Sequence, residues 1–353
     1  MKFATYQDGS RDGQLVVVSR DLASAHYATG VATRLQAVLD DWNFLSPQLQ
    51  DLSDELNAGR ARHAFAFDPA HCMAPLPRAY AHAEGGAFLH HDLLRRQAAA
   101  PDEVAAAPLV PAMQRLGGEL LGAQDDIVLP AGPWEADFEA GLAAITGDIP
   151  QGCTPERAIE GVRLLMLAHA LVLRPVGGGA DAGFHARPAT AFSPVSVTAD
   201  ELGAAWSGGR LSGTLQTVWN GRKVGLCDAG PDMGFHFGQL IGEMARSGRL
   251  RAGTIVGTGA VSNPAVRDDG ARDGKRGRKP TTEPRLDWPR GYGSIAEKRA
   301  METLQDGAPK TAFLQAHDTL RIEMRGRDGL SIFGAIAQEY VTQASGGAAQ
   351  AGA

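Results

Sequence analysis

Apolar residues recur mostly three or four apart from Ala32 to Asn57, at Leu35, Val38, Leu39, Trp42, Leu45, Leu49, Leu52 and Leu56. That spacing predicts amphipathic helix, and Pro47 is expected to break it into two. Upstream, Lys2–Tyr6 and Leu15–Ser19 read as strands flanking the turn-rich Gln7–Gly13, where Asp8-Gly9 and Asp12-Gly13 can supply positive-φ positions. Downstream, Phe67-Asp68-Pro69 through Pro75-Leu76-Pro77 reads as an extended connector. It puts a boundary near residue 75, between an N-terminal domain (1–75) and a larger domain (76–340).

From Arg78 onward the pattern changes to short apolar runs separated by turns. Ile127–Leu129, Phe138–Ile145, Leu164–Leu173, Val195–Val197, Leu215–Trp219 and Thr254–Val256 read as strands. Thr154-Pro155-Glu156 predicts the capped start of a helix over Thr154–Arg163, and Phe235–Arg246 reads as a second short helix. No regular βαβ alternation is visible, so the class is α+β and rich in strand. Residues 264–290 mix many charges of both signs with few apolar positions and predict a solvated, flexible insertion. The Gly/Ala/Gln-rich end, 341–353, predicts a frayed tail.

Composition narrows the function classes. The 353 residues carry Lys+Arg 34 against Asp+Glu 40, a net charge of −6, which disfavours a general nucleic-acid binder. The basic stretch around Lys275–Lys279 is diluted by neighbouring acids. Cys72, Cys153 and Cys227 are odd in number and far apart, so neither a disulfide framework nor a CxxC zinc site is expected. The longest uncharged apolar run, Leu164–Leu173, falls well short of the roughly 20 residues that span a bilayer. The opening stretch, Met1–Gly13, has no apolar signal-peptide core, so a cytoplasmic location is the default expectation.

Three stretches could carry chemistry. Gly253-x3-Gly257-Thr258-Gly259 follows a strand but lacks Gly-Lys-Ser/Thr, and Ser262 stands where a dinucleotide fingerprint wants glycine. It reads either as a tight turn alone or as one lining a pocket. His82, His90 and His91 cluster; on a strand or loop, the adjacent pair would point to opposite sides. In Trp134–Gly141, a strand would put Asp137, Glu139 and Gly141 on one face, either binding a hard cation or facing solvent.

Several further stretches join these: Asp8–Ser19, Ala74–Tyr80, Arg163–Leu167, Pro188–Val195, Arg251–Gly259 and Ser294–Arg299. Together they resemble the fumarylacetoacetate hydrolase family, in its bacterial branch with a small N-terminal domain. The resemblance implies a rolled mixed β-sheet of α+β class with a small N-terminal α/β domain, and a dimer. It also implies metal-assisted hydrolysis of a carbon–carbon bond in a β-diketo acid, with decarboxylases and hydratases of 2-oxo acids among the relatives. In that chemistry Mg²⁺ or Ca²⁺ would stabilise the developing enolate.

Carried over residue by residue, the resemblance makes His91 the water-activating histidine and places Arg187 at the family's lysine. The turn with Gly257, Gly259 and Ala260 is assigned to substrate, Ala260 replacing a threonine. Glu139 matches the first glutamate of a metal-binding Glu-x-Glu, but the second position is Gly141 and the second strand's aspartate is Ala170. Leu93 also replaces a residue often acidic in this branch. Arg187 keeps the positive charge but cannot serve as a base. The expectation is a divergent enzyme for a small β-diketo or 2-oxo acid with a depleted metal site, acting as a homodimer or with a paralogue. The alternative is an inactive or metal-free homologue that binds a ligand or serves as a partner subunit. Nucleic acid and membrane are not expected partners.

Overall fold

The computed structural model describes residues 1–100, 108–176, 183–268 and 285–342. Its architecture is α+β, built on a mixed twelve-stranded sheet. The long antiparallel strands Trp134–Thr146 and Val162–Pro175 run beside each other from Thr146↔Val162 to Trp134↔Pro175. Their near-continuous apolar text suits strands covered on both faces. Thr254–Gly257 continues the sheet antiparallel to Trp134–Thr146 and parallel to Ala81–Gly85. On the other side Lys2–Tyr6 pairs with Ser196–Thr198, so the strands of the N-terminal segment extend the same sheet. A second sheet of five strands contains Thr319–Met324 and Ile336–Thr342.

The two faces of the long strand pair bury different cores. Phe138, Leu142, Leu165, Leu167 and Leu171 belong to one. Ala143, Ile145, Leu164 and Met166 belong to the other, which the N-terminal residues Leu35, Val38, Leu49 and Leu56 cover. Further along, the second face turns from apolar to charged at Glu139, Asp137 and Arg174, because residues two apart on a strand share a face.

Two helix expectations need correction. The break in the N-terminal helical stretch falls at Asp41, between Leu35–Asp40 and Trp42–Asn57, and Pro47 lies inside the second helix. A proline removes one ladder bond, and burial of Leu49 and Leu56 along the remaining turns outweighs it. The helix expected over Thr154–Arg163 is only Pro155–Glu160, since Val162 already belongs to the next strand. Of the expected insertion, Val266–Asp268 pairs with Arg285–Asp287; the intervening 269–284 and the tail 343–353 lie outside the described residues.

Candidate active site

His90 and His91 do not lie on a strand or loop. They open the helix Leu89–Ala99. Successive residues on a helix are about 100° apart, so both rings reach the same carboxylate. His91 Nδ1 is 3.8 Å from Glu297 Oε2, and its Nε2 is 3.7 Å from Glu139 Oε1. His90 Nδ1 lies 2.8 Å from Ser262 Oγ, which donates to Glu297 Oε1. Glu297 also accepts from the Gly293 backbone N–H at 3.0 Å. The His91 distances exceed hydrogen-bond range, and among the described residues both of its buried ring nitrogens lack a hydrogen-bond partner.

The solvent-facing alternative for Trp134–Gly141 is overturned. Asp137 and Glu139 are buried. Asp137 sits beneath the helix Ile295–Asp306, accepting from the backbone N–H groups of Ile295 at 2.6 Å and Ala296 at 3.1 Å. Helix N-termini favour such a negative charge. Arg174 completes this side, with Nη2 at 2.8 Å from Asp137 Oδ2 and 3.3 Å from Glu139 Oε1.

Arg187 and Glu139 come together, and a second glutamate joins them. Arg187 Nη2 donates to Glu139 Oε2 at 2.6 Å, and Nη1 lies 2.5 Å from Glu84 Oε2. Glu84 belongs to Ala81–Gly85, on the far side of strand Thr254–Gly257 from Glu139. Its side chain crosses beside Gly257, where an added Cβ would come within 2.8 Å of Glu84 Cγ. His82, two residues earlier on the same face, is buried, and among the described residues its Nε2 has no hydrogen-bond partner.

The electrostatics separate the two glutamates. Burial pushes the Glu84 carboxyl up, against the opposing pull of Arg187. Burial acts the same way on Glu139, but the charges of Arg187, His91 and Arg174 together hold it well below the usual carboxylate range. Environments that drive neighbouring carboxylates to opposite sides of their ordinary value are common at catalytic sites.

Glu139, Gly141 and Ala170 are neighbours, since Ala170 pairs with Glu139 and Ala168 with Gly141. Gly141 is tightly covered: a Cβ there would overlap the Gly259 carbonyl oxygen. The turn Gly257–Ala260 is thus seated on strand Trp134–Thr146, with Thr258 Oγ1 accepting from Leu142 N–H at 3.0 Å. His169 points to the opposite face, between Gln338 Oε1 at 2.8 Å and the Tyr340 hydroxyl at 2.9 Å. Among the described residues no group of three or more His, Cys, Asp or Glu side chains is arranged to hold a metal ion.

Comparison with known proteins follows from this geometry. Residues 1–78 match the profile of the fumarylacetoacetase N-terminal domain 2, and residues 85–339 that of the fumarylacetoacetate (FAA) hydrolase C-terminal domain. The chain belongs to the fumarylacetoacetate hydrolase family. No curated protein sequence matches it significantly. Among solved structures, it is similar to maleylpyruvate hydrolase from Sphingobium sp. SYK-6, at 16% identity, 97% coverage of this chain, 100% of that chain and a TM-score of 0.62. The same hydrolase in complex with manganese(II) and pyruvate gives 16% identity, 97% and 99% coverage and a TM-score of 0.59. A 5-carboxymethyl-2-hydroxymuconate delta-isomerase from Mycobacterium smegmatis matches at 15% identity, 97% and 99% coverage and 0.53. At these identities the likeness establishes the family's fold. Among the described residues no helix is long and apolar enough to cross a membrane.

Sequence reasoning missed Glu84 and Arg174 and gave no role to Glu297. Arg174 carried a readable signal: it ends a buried apolar strand and shares the face of Ala170. Glu84 carried none, because only the order of strands in the sheet brings it near Glu139 and Arg187.

Proposed function

We propose that the chain is an enzyme acting on a small β-diketo or 2-oxo acid, by hydrolysis of a carbon–carbon bond or a related decarboxylation or isomerisation. The observation that carries this reading is His91: an imidazole with both ring nitrogens buried and, among the described residues, without a hydrogen bond, set between two carboxylates, one of which also meets two guanidinium groups. Buried polar groups are ordinarily paired, so an unpaired one at such a cluster suits a group that meets its partner when substrate or water arrives. The neighbours named for maleylpyruvate hydrolysis and muconate isomerisation supply the substrate class.

In the hydrolytic version, His91 takes a proton from water as its oxygen adds to one carbonyl. The bond between the carbonyl carbon and the adjacent carbon then breaks. The electron pair becomes an enolate, and the proton held at His91 returns to its carbon. Arg187 has five N–H donors; one is given to Glu139, and Glu84 is held as an ion pair. The others can face the substrate carboxylate or the enolate oxygen, where a preorganised donor contributes about 3–4 kcal/mol. In the isomerising version, His91 carries the proton between carbons while the same donors hold the enolate. The Gly257–Ala260 turn would line this space, and Glu139 would hold Arg187.

A second reading, a non-catalytic member that pairs with an active paralogue, is favoured by one observation. Both Glu139 oxygens are already met by arginines of this chain. A panel of acylpyruvates and 2-oxo diacids, followed by loss of diketone absorbance and release of pyruvate, separates the two. Turnover that disappears in His91→Asn supports the enzyme. A folded chain inert toward the whole panel, but co-purifying in stable stoichiometry with a related chain, supports the partner.

A further inference from the structure

The divalent ion implied by the family resemblance does not fit the residues present. Mg²⁺ demands six oxygens near 2.0–2.1 Å and Ca²⁺ six to eight at 2.3–2.6 Å. Here Glu139 Oε2 is taken by Arg187 at 2.6 Å, and Oε1 faces Arg174 at 3.3 Å. Gly141 offers no side chain, and the Gly259 carbonyl covers the space above it. Ala170, opposite Glu139, offers a methyl group. An ion placed beside Glu139 would also meet two guanidinium charges in a buried setting, where like charges repel strongly.

We propose that Arg187 is the resident cation of this centre, bridging Glu84 and Glu139 and making the site independent of divalent metal. A guanidinium fork offers two parallel donors fixed in one plane. At Arg187, Nη2 donates to Glu139 at 2.6 Å, and Nη1 stands in ion contact with Glu84, 2.5 Å away on a different strand. One monocation between two carboxylate oxygens occupies the place that a bridging ion would take. Glu84 is the positioning residue of the arrangement, and Gly257 is the gap that lets it reach. Nothing in this inference depends on which reaction the site runs, and it holds equally for a non-catalytic member.

The test is a Mn²⁺ titration of the full chain by calorimetry, with electron paramagnetic resonance counting bound ion. Wild type is expected to bind no stoichiometric Mn²⁺ and to keep the same unfolding midpoint with Mn²⁺ or with chelator. Arg187→Ala leaves Glu84 and Glu139 facing one vacated space and is expected to gain one Mn²⁺. Adding Glu84→Gln is expected to weaken that gained site by about tenfold or more. One equivalent of Mn²⁺ bound by wild type and lost in Glu139→Gln overturns the proposal. So does a folded Arg187→Ala chain that binds no Mn²⁺. If Arg187→Ala does not fold, Arg187→Met, which keeps the apolar stem, takes its place, and the wild-type titration still decides metal independence.

Discussion

Two inward-facing histidines lie on opposite sides of the same strand pair and are handled in opposite ways. His169 is fully enclosed, and both of its nitrogens are paired. Gln338 donates its amide to the Asp125 carbonyl at 2.7 Å, which leaves its oxygen facing His169 Nδ1. Nδ1 therefore carries the proton, and Nε2 accepts from Tyr340. Among the described residues His91 has neither nitrogen hydrogen-bonded, although two carboxylates stand just beyond hydrogen-bond range. The difference separates a histidine that completes a core from one held ready for a partner that comes and goes.

Exchanging the roles of the two histidines gives the largest effect. His91→Asn is expected to lower turnover by about 10²–10⁴-fold, the usual contribution of general acid–base catalysis, and to leave the unfolding midpoint nearly unchanged because no hydrogen bond is lost. His169→Ala is expected to do the reverse. It strands Tyr340 and Gln338 and costs about 1–3 kcal/mol, while the folded fraction keeps its turnover. Steady-state kinetics and urea unfolding on both variants check this. If His169→Ala lost turnover without losing stability, the division between the faces would fail.

Asp137 anchors the charged face, and its removal is expected to be the largest stability change. Asp137→Ala strips the helix Ile295–Asp306 of the carboxylate that accepts from two of its N–H groups and leaves Arg174, among the described residues, with Glu139 alone as an ion-pair partner. Breaking a buried pair in this way typically costs about 3–5 kcal/mol, readable in urea unfolding. Because that helix carries Glu297, turnover is expected to fall as well. On the settled face, His169→Ala is expected to move stability alone.

How much of this was legible in the sequence depended on whether the information was local. The paired long strands were readable because burial on both faces writes itself as a continuous apolar run, as in Leu164–Leu173. The family's positions were readable from short stretches, and Glu139, Gly141 and Ala170 do stand together. Pro47 misled because a single lost ladder bond is weaker than two buried leucines. His90-His91 misled because the pair was read as extended chain, although Asp92 and Arg96, four apart, form an ion pair typical of a helix. The Glu84–Arg187–Glu139 bridge was out of reach, since its partners are far apart in the chain and meet only through the order of strands in the sheet.

Acid sharpens the comparison less than mutation, because it acts on both sides. Burial pushes His169 down to about 4, against the Gln338 hydrogen bond; burial, with Arg187 adding to it, pushes His82 down to about 4 as well. Below the ordinary value of 6.5 the unfolded chain takes up protons that the folded chain refuses. Stability is therefore full above pH 6.5 and falls as pH drops toward 4, by about 3 kcal/mol per histidine at the acid end. Unfolding midpoints in urea across that window are expected to fall, and His82→Phe is expected to flatten the slope. An unchanged slope in His82→Phe would show that His82 does not differ from its unfolded form.

The smallest effect concerns glycine, and it tests whether the charged face is closed by packing. Gly141→Ala sets a methyl group against the Gly259 carbonyl and within 3.1 Å of Thr258 Oγ1, the acceptor for Leu142 N–H. Backbone must shift to relieve it, at a cost of about 1–3 kcal/mol, the range for overpacking a core. At Gly257 the neighbour is the Glu84 side chain rather than backbone. Gly257→Ala is thus expected to cost less stability but to disturb turnover by moving the positioning residue of Arg187. Equal losses of stability at the two positions, with turnover intact in both, would mean that the turn only packs and that Glu84 does not set the arginine.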